Sequence, residues 1–407
     1  MTMALADVPV ILMLVGIAAY VVLAGADFGS SFWSLTARDK LGRKIRENTH
    51  RSMAPVWEAN HVWLIFVLVV CWTAYPEVFG SIFSTLWIPL LLACLGIIMR
   101  AISYVAGGVA DQRWVVILSA VSSFITPFAL GTVIGAIVSG RVPVGNAQGD
   151  PFSSWLNPTS IMIGALAVFF CAYLAAVYLA GDAKRNQEDD LAEAFRRRGL
   201  AAGVAAGLIA AIGIAVVHDD ARYIYDGLTS GAGLVAVIVS GLAGLLTLVS
   251  LWQRRYERAR YCAAGAVVAV IAGWGIAQSP DILPGLSIDS AAAADNVLIG
   301  LLVSIAVGLM ILIPSLALLY GLVLGGRFDP GADRVDSGGA AAPSRGLLPP
   351  ARRKVIPLLL VAGLGAAMLF IASGGAVLYV GVALVMASLA TGIVMLAVTL
   401  VTSEDQG

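Results

Sequence analysis

Charge is scarce in this sequence. Asp, Glu, Lys and Arg make up only 12% of its 407 residues, about half the share in a soluble globular protein. Hydrophobic residues supply 59%, and the mean hydropathy is +0.91. A secreted soluble domain, a disordered chain and a coiled coil are thereby excluded. Lys and Arg number 25 against 25 Asp and Glu, so there is no basic surplus with which to bind nucleic acid by charge. Cysteine is also thin. Cys71, Cys94, Cys171 and Cys262 lie in or beside apolar runs and form no C-x-x-C, which argues against a disulfide framework or thiolate metal site and reads as buried apolar thiols. A phosphate-binding glycine loop, a dinucleotide fingerprint and an H-E-x-x-H motif are missing too.

What the chain has is long apolar runs. A helical span needs about 20 such residues. Runs at 8–26, 54–75, 82–99, 114–139, 159–180, 200–217, 231–251, 261–278, 296–324, 355–372 and 376–401 predict eleven spans. They are too continuous for the alternation of a membrane barrel, so the fold class is an all-α polytopic membrane protein. The first run is not preceded by basic residues, as a signal peptide would be; it reads as a span with its N-terminus outside. Twenty-three of the 25 Lys and Arg then fall in the loops after odd-numbered spans, and only Arg141 and Arg222 in the others. Odd-numbered loops are therefore expected in the cytoplasm, and so is the C-terminus. Trp33, Trp57, Trp114 and Trp252 fall near predicted inner ends, and Trp72, Trp155 and Trp274 near outer ones, as interfacial belts do.

Composition divides the chain. Residues 1–328 form a nine-span body. Residues 329–354, rich in Gly, Ala, Pro and Arg, read as a flexible cytoplasmic linker. Residues 355–407 form a two-span hairpin closed by Ser373, Gly374 and Gly375. The charged stretch 182–198 reads as a short surface helix, and His218, Asp219, Asp220 and Asp226 as a solvated outer loop.

Ionisable groups at membrane depth are costly and are functional candidates. Asp27 ends the first run, Arg100 ends the third, and Glu58 and His61 lie in the second. Counted from Met53, Glu58 and His61 lie roughly 8 and 12 Å into the span, on one helix face, with Asn60 beside them. Two acids, an imidazole and an amide at similar depth suit a proton path. The plainer readings are an interhelical ion pair, or for Arg100 a side chain that snorkels to the surface. Sorted by side, the outer loops carry a net charge of −7 and the inner ones +9; the remaining two acids are Asp27 and Glu58. The three histidines, His50, His61 and His218, fall at three different depths, which disfavours a haem held by this chain. The pattern Pro127…Gly131…Gly135 predicts close helix contact.

The stretch Ala54-Pro-Val-Trp-Glu-Ala-Asn-His-Val-Trp-Leu-Ile65 resembles subunit II of the cytochrome bd-type quinol oxidases. Gly25-Ala-Asp-Phe-Gly29, Tyr75-Pro76, Arg100 and the glycines of the fourth span extend the resemblance, and hydropathy carries it to about residue 328. It implies two four-helix bundles plus a peripheral helix, here followed by an extra transmembrane hairpin. It implies a heterodimer in the bacterial cytoplasmic (inner) membrane. The partner, subunit I, would carry haems of b and d types, oxidise quinol and reduce dioxygen to water. This chain would be haem-free and hold no metal. It would supply part of the cytoplasmic proton path through Glu58, with Asp27, His61 and Arg100 near it. The resemblance leaves open a structural menaquinone or ubiquinone near Trp57 and Asn60, and small single-span accessory subunits. The extra hairpin would replace such a subunit or cover a lipid-facing entrance on the partner. Two other readings remain on the residues alone: a proton-coupled transporter, and a non-catalytic scaffold.

Overall fold

A computed structural model of the chain describes residues 4–35, 44, 60–105 and 113–324, with Leu35, Val105, Arg113 and 313–324 described by backbone alone. Twelve helices are described: α1 (Asp7–Leu35), α2 (Asn60–Ala74), α3 (Pro76–Thr85), α4 (Trp87–Val105), α5 (Arg113–Val138), α6 (Pro158–Arg185), α7 (Asp189–Asp220), α8 (Arg222–Leu228), α9 (Gly231–Trp252), α10 (Tyr256–Gln278), α11 (Ile288–Ala291) and α12 (Asp295–Leu324). Eight are long and apolar enough to cross a membrane, and the bent pair α2–α3 makes a ninth candidate. Nine of the eleven expected spans are thus accounted for. The runs at 355–372 and 376–401 and the linker before them lie outside the described residues. The chain divides into two compact units, Met1–Leu301 and Leu302–Gly407; of the second, only the helical backbone to Leu324 and side chains to Leu312 are described.

Several boundaries differ from the expectation, for one reason: charges that looked like span ends are paired inside helices. Asp27 and Arg100 do not end their helices, because α1 runs on to Leu35 and α4 to Val105. The charged stretch 182–198 is not a separate surface helix. It is the end of α6 and the start of α7, joined by a short turn at 186–188. The second and third spans are not two plain rods either. Tyr75-Pro76 breaks the path, and α3 leaves α2 at 119°. Proline suits this place, since the first position of a helix needs no N–H partner.

Within the first unit, α6 is the axis. It packs against α1, α5, α7 and α10. Cys171 to Val177 are buried without a break, so this stretch has no lipid-facing side, as expected of a helix that is apolar all round. Small residues make the approach possible. A Cβ on Gly131 would lie 2.7 Å from Gly164 Cα, and one on Gly135 would overlap the Ser160 backbone. The glycine pattern thus joins α5 to α6. Helices α1, α4 and α5 pack together on one side of α6, with Trp63 and Leu64 of α2 against Phe28 and Tyr20 of α1. Helices α7 and α10 also pack on α6, α9 packs on α7 and α10, and α10 reaches α1. Most side chains of α12 up to Leu312 are partly or fully exposed, Leu298 being buried.

The end that carries Arg141 is built from loops. Asn157 caps α6 by accepting the Ser160 N–H. The Asp150 carboxylate accepts the N–H groups of Ser153 and Phe152, which hold it below the usual carboxylate range. A small antiparallel hairpin, β1 (Asp281–Leu283) and β2 (Leu286–Ser287), was not expected. Its turn is Pro284-Gly285, where Gly285 takes φ +73°, the geometry of a type II turn. Its Leu283 and Leu286 are buried with Tyr75, Val78 and Val142. The cysteines are more varied than expected: Cys71 and Cys171 are buried, Cys262 is half-buried and Cys94 is exposed.

Candidate functional site

The site begins with a sequence that lets a charged helix come close to its neighbours. On α1, Gly25 and Gly29 face α6, and a Cβ on Gly29 would overlap the Cys171 carbonyl. Trp33 donates its indole N–H to the Ala172 carbonyl at 2.8 Å. It is therefore a core residue rather than a member of the interfacial belt. On α4, Gly96 allows the same close approach to Thr126 of α5. These contacts enclose Asp27, which is 0% exposed, and Arg100, at 1%.

Arg100 spans the gap between α4 and α1. Its Nη2 donates to Asp27 Oδ1 and to the Asp27 carbonyl, both at 2.5 Å. Its Nη1 donates to Ser119 Oγ of α5 at 2.8 Å and to Ser31 Oγ of α1. Tyr104, one turn along α4, donates its hydroxyl to Asp27 Oδ1 at 2.5 Å. Asn60 of α2 donates to Asp27 Oδ2 at 3.4 Å. The guanidinium also lies over the Tyr104 ring, 5.0 Å from its centroid. Snorkelling of Arg100 is thus corrected: its hydrogen bonds run inward, to the buried Asp27 and Ser31 of α1 and the half-buried Ser119 of α5. Asp27 likewise is enclosed by protein.

Of the expected site residues, the structure brings Asp27, Arg100 and Asn60 together. His61 follows Asn60 on α2 and is half-buried. Glu58 and Trp57 lie outside the described residues, as does His50. Tyr104, Ser31 and Ser119 were missed, although Tyr104 lies four residues after Arg100 and Ser31 four after Asp27, the spacings that share a helix face. Around the pair, the Tyr20 hydroxyl and Asn60 Oδ1 are buried and take no protein hydrogen-bond partner among the described residues. The arrangement is a neutralised charge pair with spare polar atoms beside it.

A second polar lock stands at the other end. Arg141 makes two hydrogen bonds to Asp220, at 2.5 and 3.0 Å, and Thr159 Oγ1 donates to the same carboxylate at 2.6 Å. Asp220 therefore ties the ends of α5, α6 and α7 together and is not simply part of a solvated outer loop. Asp219 and Asp226 are largely exposed, as expected, but they lie in α7 and α8 and not in a loop. His218 bonds to Asp219 and Arg222. It lies two residues from Asp220, beside Thr159 of α6, whereas His61 lies by Asp27, near Cys171. Thr159 and Cys171 are roughly 18 Å apart along α6, so His61 and His218 do not suit two axial positions on one haem. Among the described residues no three His, Cys, Asp or Glu converge as a metal site.

Comparison with known proteins agrees with this architecture. The profile of the family described as cytochrome bd terminal oxidase subunit II matches residues 5–323. A Bacillus subtilis chain named as a candidate cytochrome bd menaquinol oxidase subunit II is 24% identical over 244 residues, covering 58% of this chain and 70% of the relative. A cytochrome bd ubiquinol oxidase subunit 2 of Bacillus subtilis is 27% identical over 156 residues, 37% of this chain and 45% of the relative. The cytochrome bd-I ubiquinol oxidase subunit 2 of Escherichia coli K12 is 25% identical over 171 residues, 39% and 44%. With these last two the alignment spans less than half of the relative's length. In the solved bd oxidase from Geobacillus thermodenitrificans, one chain shares the fold with a TM-score of 0.63 and 23% identity, over 79% of this chain and 99% of that one. The chain belongs to the cytochrome bd terminal oxidase subunit II family.

Proposed function

We propose that this chain is the haem-free subunit of a bd-type quinol oxidase and admits the protons consumed when dioxygen is reduced to water. Its partner is a haem-bearing subunit I, with haems of b and d types and the quinol site. The assembly lies in the bacterial cytoplasmic membrane with the N-terminus of this chain outside. Oxidation of quinol releases protons on the outer side, and oxygen reduction takes protons from the inner side, so charge separates without a pump through the whole bilayer. The haem-free reading rests on the placement of His61 and His218.

The observation that carries the proton reading is the fully buried Asp27–Arg100 pair, joined to α2 by Asn60. Asn60 is two residues after Glu58. In this reading Glu58 and His61 move the proton. Asp27 and Arg100 form an ion pair that keeps hydrogen-bonding groups inside an apolar wall. Tyr20 and Asn60 offer the spare hydrogen-bonding atoms along the way. A proton path needs a group that can change its charge. This reading gives that task to Glu58 and His61, beside Asn60 in the chain.

The test is Glu58→Gln in the assembled complex. Quinol-driven oxygen uptake should fall by about tenfold or more, as when a positioned proton-transfer group is lost. Haem content and subunit assembly should remain. Uptake at the wild-type rate would sink the proposal.

A further inference from the structure

We propose an anionic phospholipid headgroup site in the cleft between the end of α6 and the turn from α9 to α10, independent of the proton path. The cleft is open and has a volume of about 350 Å³. Lys184, Arg185, Arg254, Arg255 and Arg258 line it, against a single acid, Glu257. Three of these cations have carboxylate partners: Lys184 bonds to Asp189 at 2.6 Å, Arg185 to Asp182, and Arg254 lies 3.5 Å from Glu193. Arg255 and Arg258 are exposed and pair with no carboxylate among the described residues. The site thus keeps two uncommitted guanidinium groups, which suit a phosphate oxyanion by geometry as well as charge.

The backbone explains why the cations converge. Only Gln253, Arg254 and Arg255 separate α9 from α10. Arg254 takes a left-handed φ of +60°. The turn closes with Arg254 N–H donating to Leu251 and Arg255 N–H to Ser250. A turn this tight has no room to spread its charges along a loop. Its neighbours set the depth. Trp252 is 75% exposed and Tyr261 is 79% exposed; one ends α9 and the other lies in the second turn of α10. Exposed Trp and Tyr at helix ends mark the headgroup level of a bilayer. A basic cleft between spans at that level is where anionic headgroups are held. The shared chemistry is a phosphate oxyanion, and the apolar spans on either side favour one that carries acyl chains.

The purified oxidase complex, delipidated in detergent, is titrated with dioleoyl phosphatidylglycerol, with dioleoyl phosphatidylcholine and with inorganic phosphate. Bound lipid is counted by native mass spectrometry. The anionic lipid should bind more tightly than the neutral one. Arg255→Gln with Arg258→Gln should weaken that binding about thirty-fold, and R258Q alone about five-fold. Lysine at both positions should restore most of it, and R222Q at the far end should change nothing. Equal binding of both lipids, or unchanged binding in the Gln variants, would overturn the proposal. Competition by millimolar inorganic phosphate as strong as by the anionic lipid would overturn the lipid assignment.

Discussion

Removing the guanidinium of Arg100 should cost far more than removing both charges of its pair. Arg100→Met keeps the length and apolar bulk of the side chain but leaves Asp27 with Tyr104 and Asn60 as its side-chain partners. Two unit charges about 4 Å apart attract by about 4 kcal/mol at an effective dielectric of about 20. Desolvating each ion offsets much of that attraction in the native pair. In the single variant the offset is gone and the penalty stays. Breaking a buried pair from one side accordingly costs about 3–5 kcal/mol, while replacing both ions by neutral groups is often near neutral. Asp27→Asn should fall in the same range, since it leaves a guanidinium that is 1% exposed. The double variant should lie much closer to wild type than the sum of the singles, with a coupling of about 3 kcal/mol or more. Unfolding of the purified complex by SDS titration, followed by tryptophan fluorescence and haem absorbance, reads all four corners of the cycle. Single variants within about 1 kcal/mol of wild type, or additive losses in the double, would refute the claim that these two charges depend on each other.

Glycine substitutions should separate contact from composition. Gly29→Ala drives a methyl group into the Cys171 backbone and should abolish assembly. Gly207→Ala meets nothing within 4 Å and should leave the yield of complex at or above wild type, as helix propensity favours Ala by up to about 1 kcal/mol. A tolerated Gly29→Ala, read by pull-down of the partner subunit, would contradict the α1–α6 packing. At the other end, Asp220→Ala should lower stability by about 1–2 kcal/mol, through loss of a bidentate pair and the Thr159 bond. Hydrogen exchange at the start of α6 should rise with it, whereas Asp226→Ala should leave that exchange unchanged.

Much of the site could be foreseen from particular residues. Asp27, Asn60 and Arg100 stood out because a charge or amide in an apolar run is expensive and needs a partner. Their meeting was legible as a similarity of depth. Tyr104, Ser31 and Ser119 were not, because hydroxyl groups cost little in a helix and are common there for other reasons. The sharp α2–α3 bend was hidden as well. The second apolar run stops at residue 75, but hydropathy carries no information on the angle at which the chain leaves Pro76. The Pro284-Gly285 turn carried a hairpin signal in a stretch too short to compete with the spans around it. The end of α6 and the start of α7 were misread for the opposite reason: their charges resembled a surface element, although they form ion pairs at the ends of two long helices.

The amino-acid sequence alone determined the class of the molecule, the number of apolar runs and the polarisation of its charges. These follow from transfer free energies, which depend on composition and length and not on neighbours. Which faces of those spans meet was decided only in the tertiary structure. In a bilayer, a lipid-facing leucine and a core-facing leucine see equally apolar surroundings, so hydropathy does not distinguish the enclosed α6 from the largely exposed α9. The choice falls to small residues that let backbones approach, such as Gly29 against Cys171 and Gly135 against Ser160. It falls also to the few charges that cannot be left alone. Asp27 and Arg100 are 73 residues apart in the chain, and only the packing of α1, α4 and α5 makes them one site.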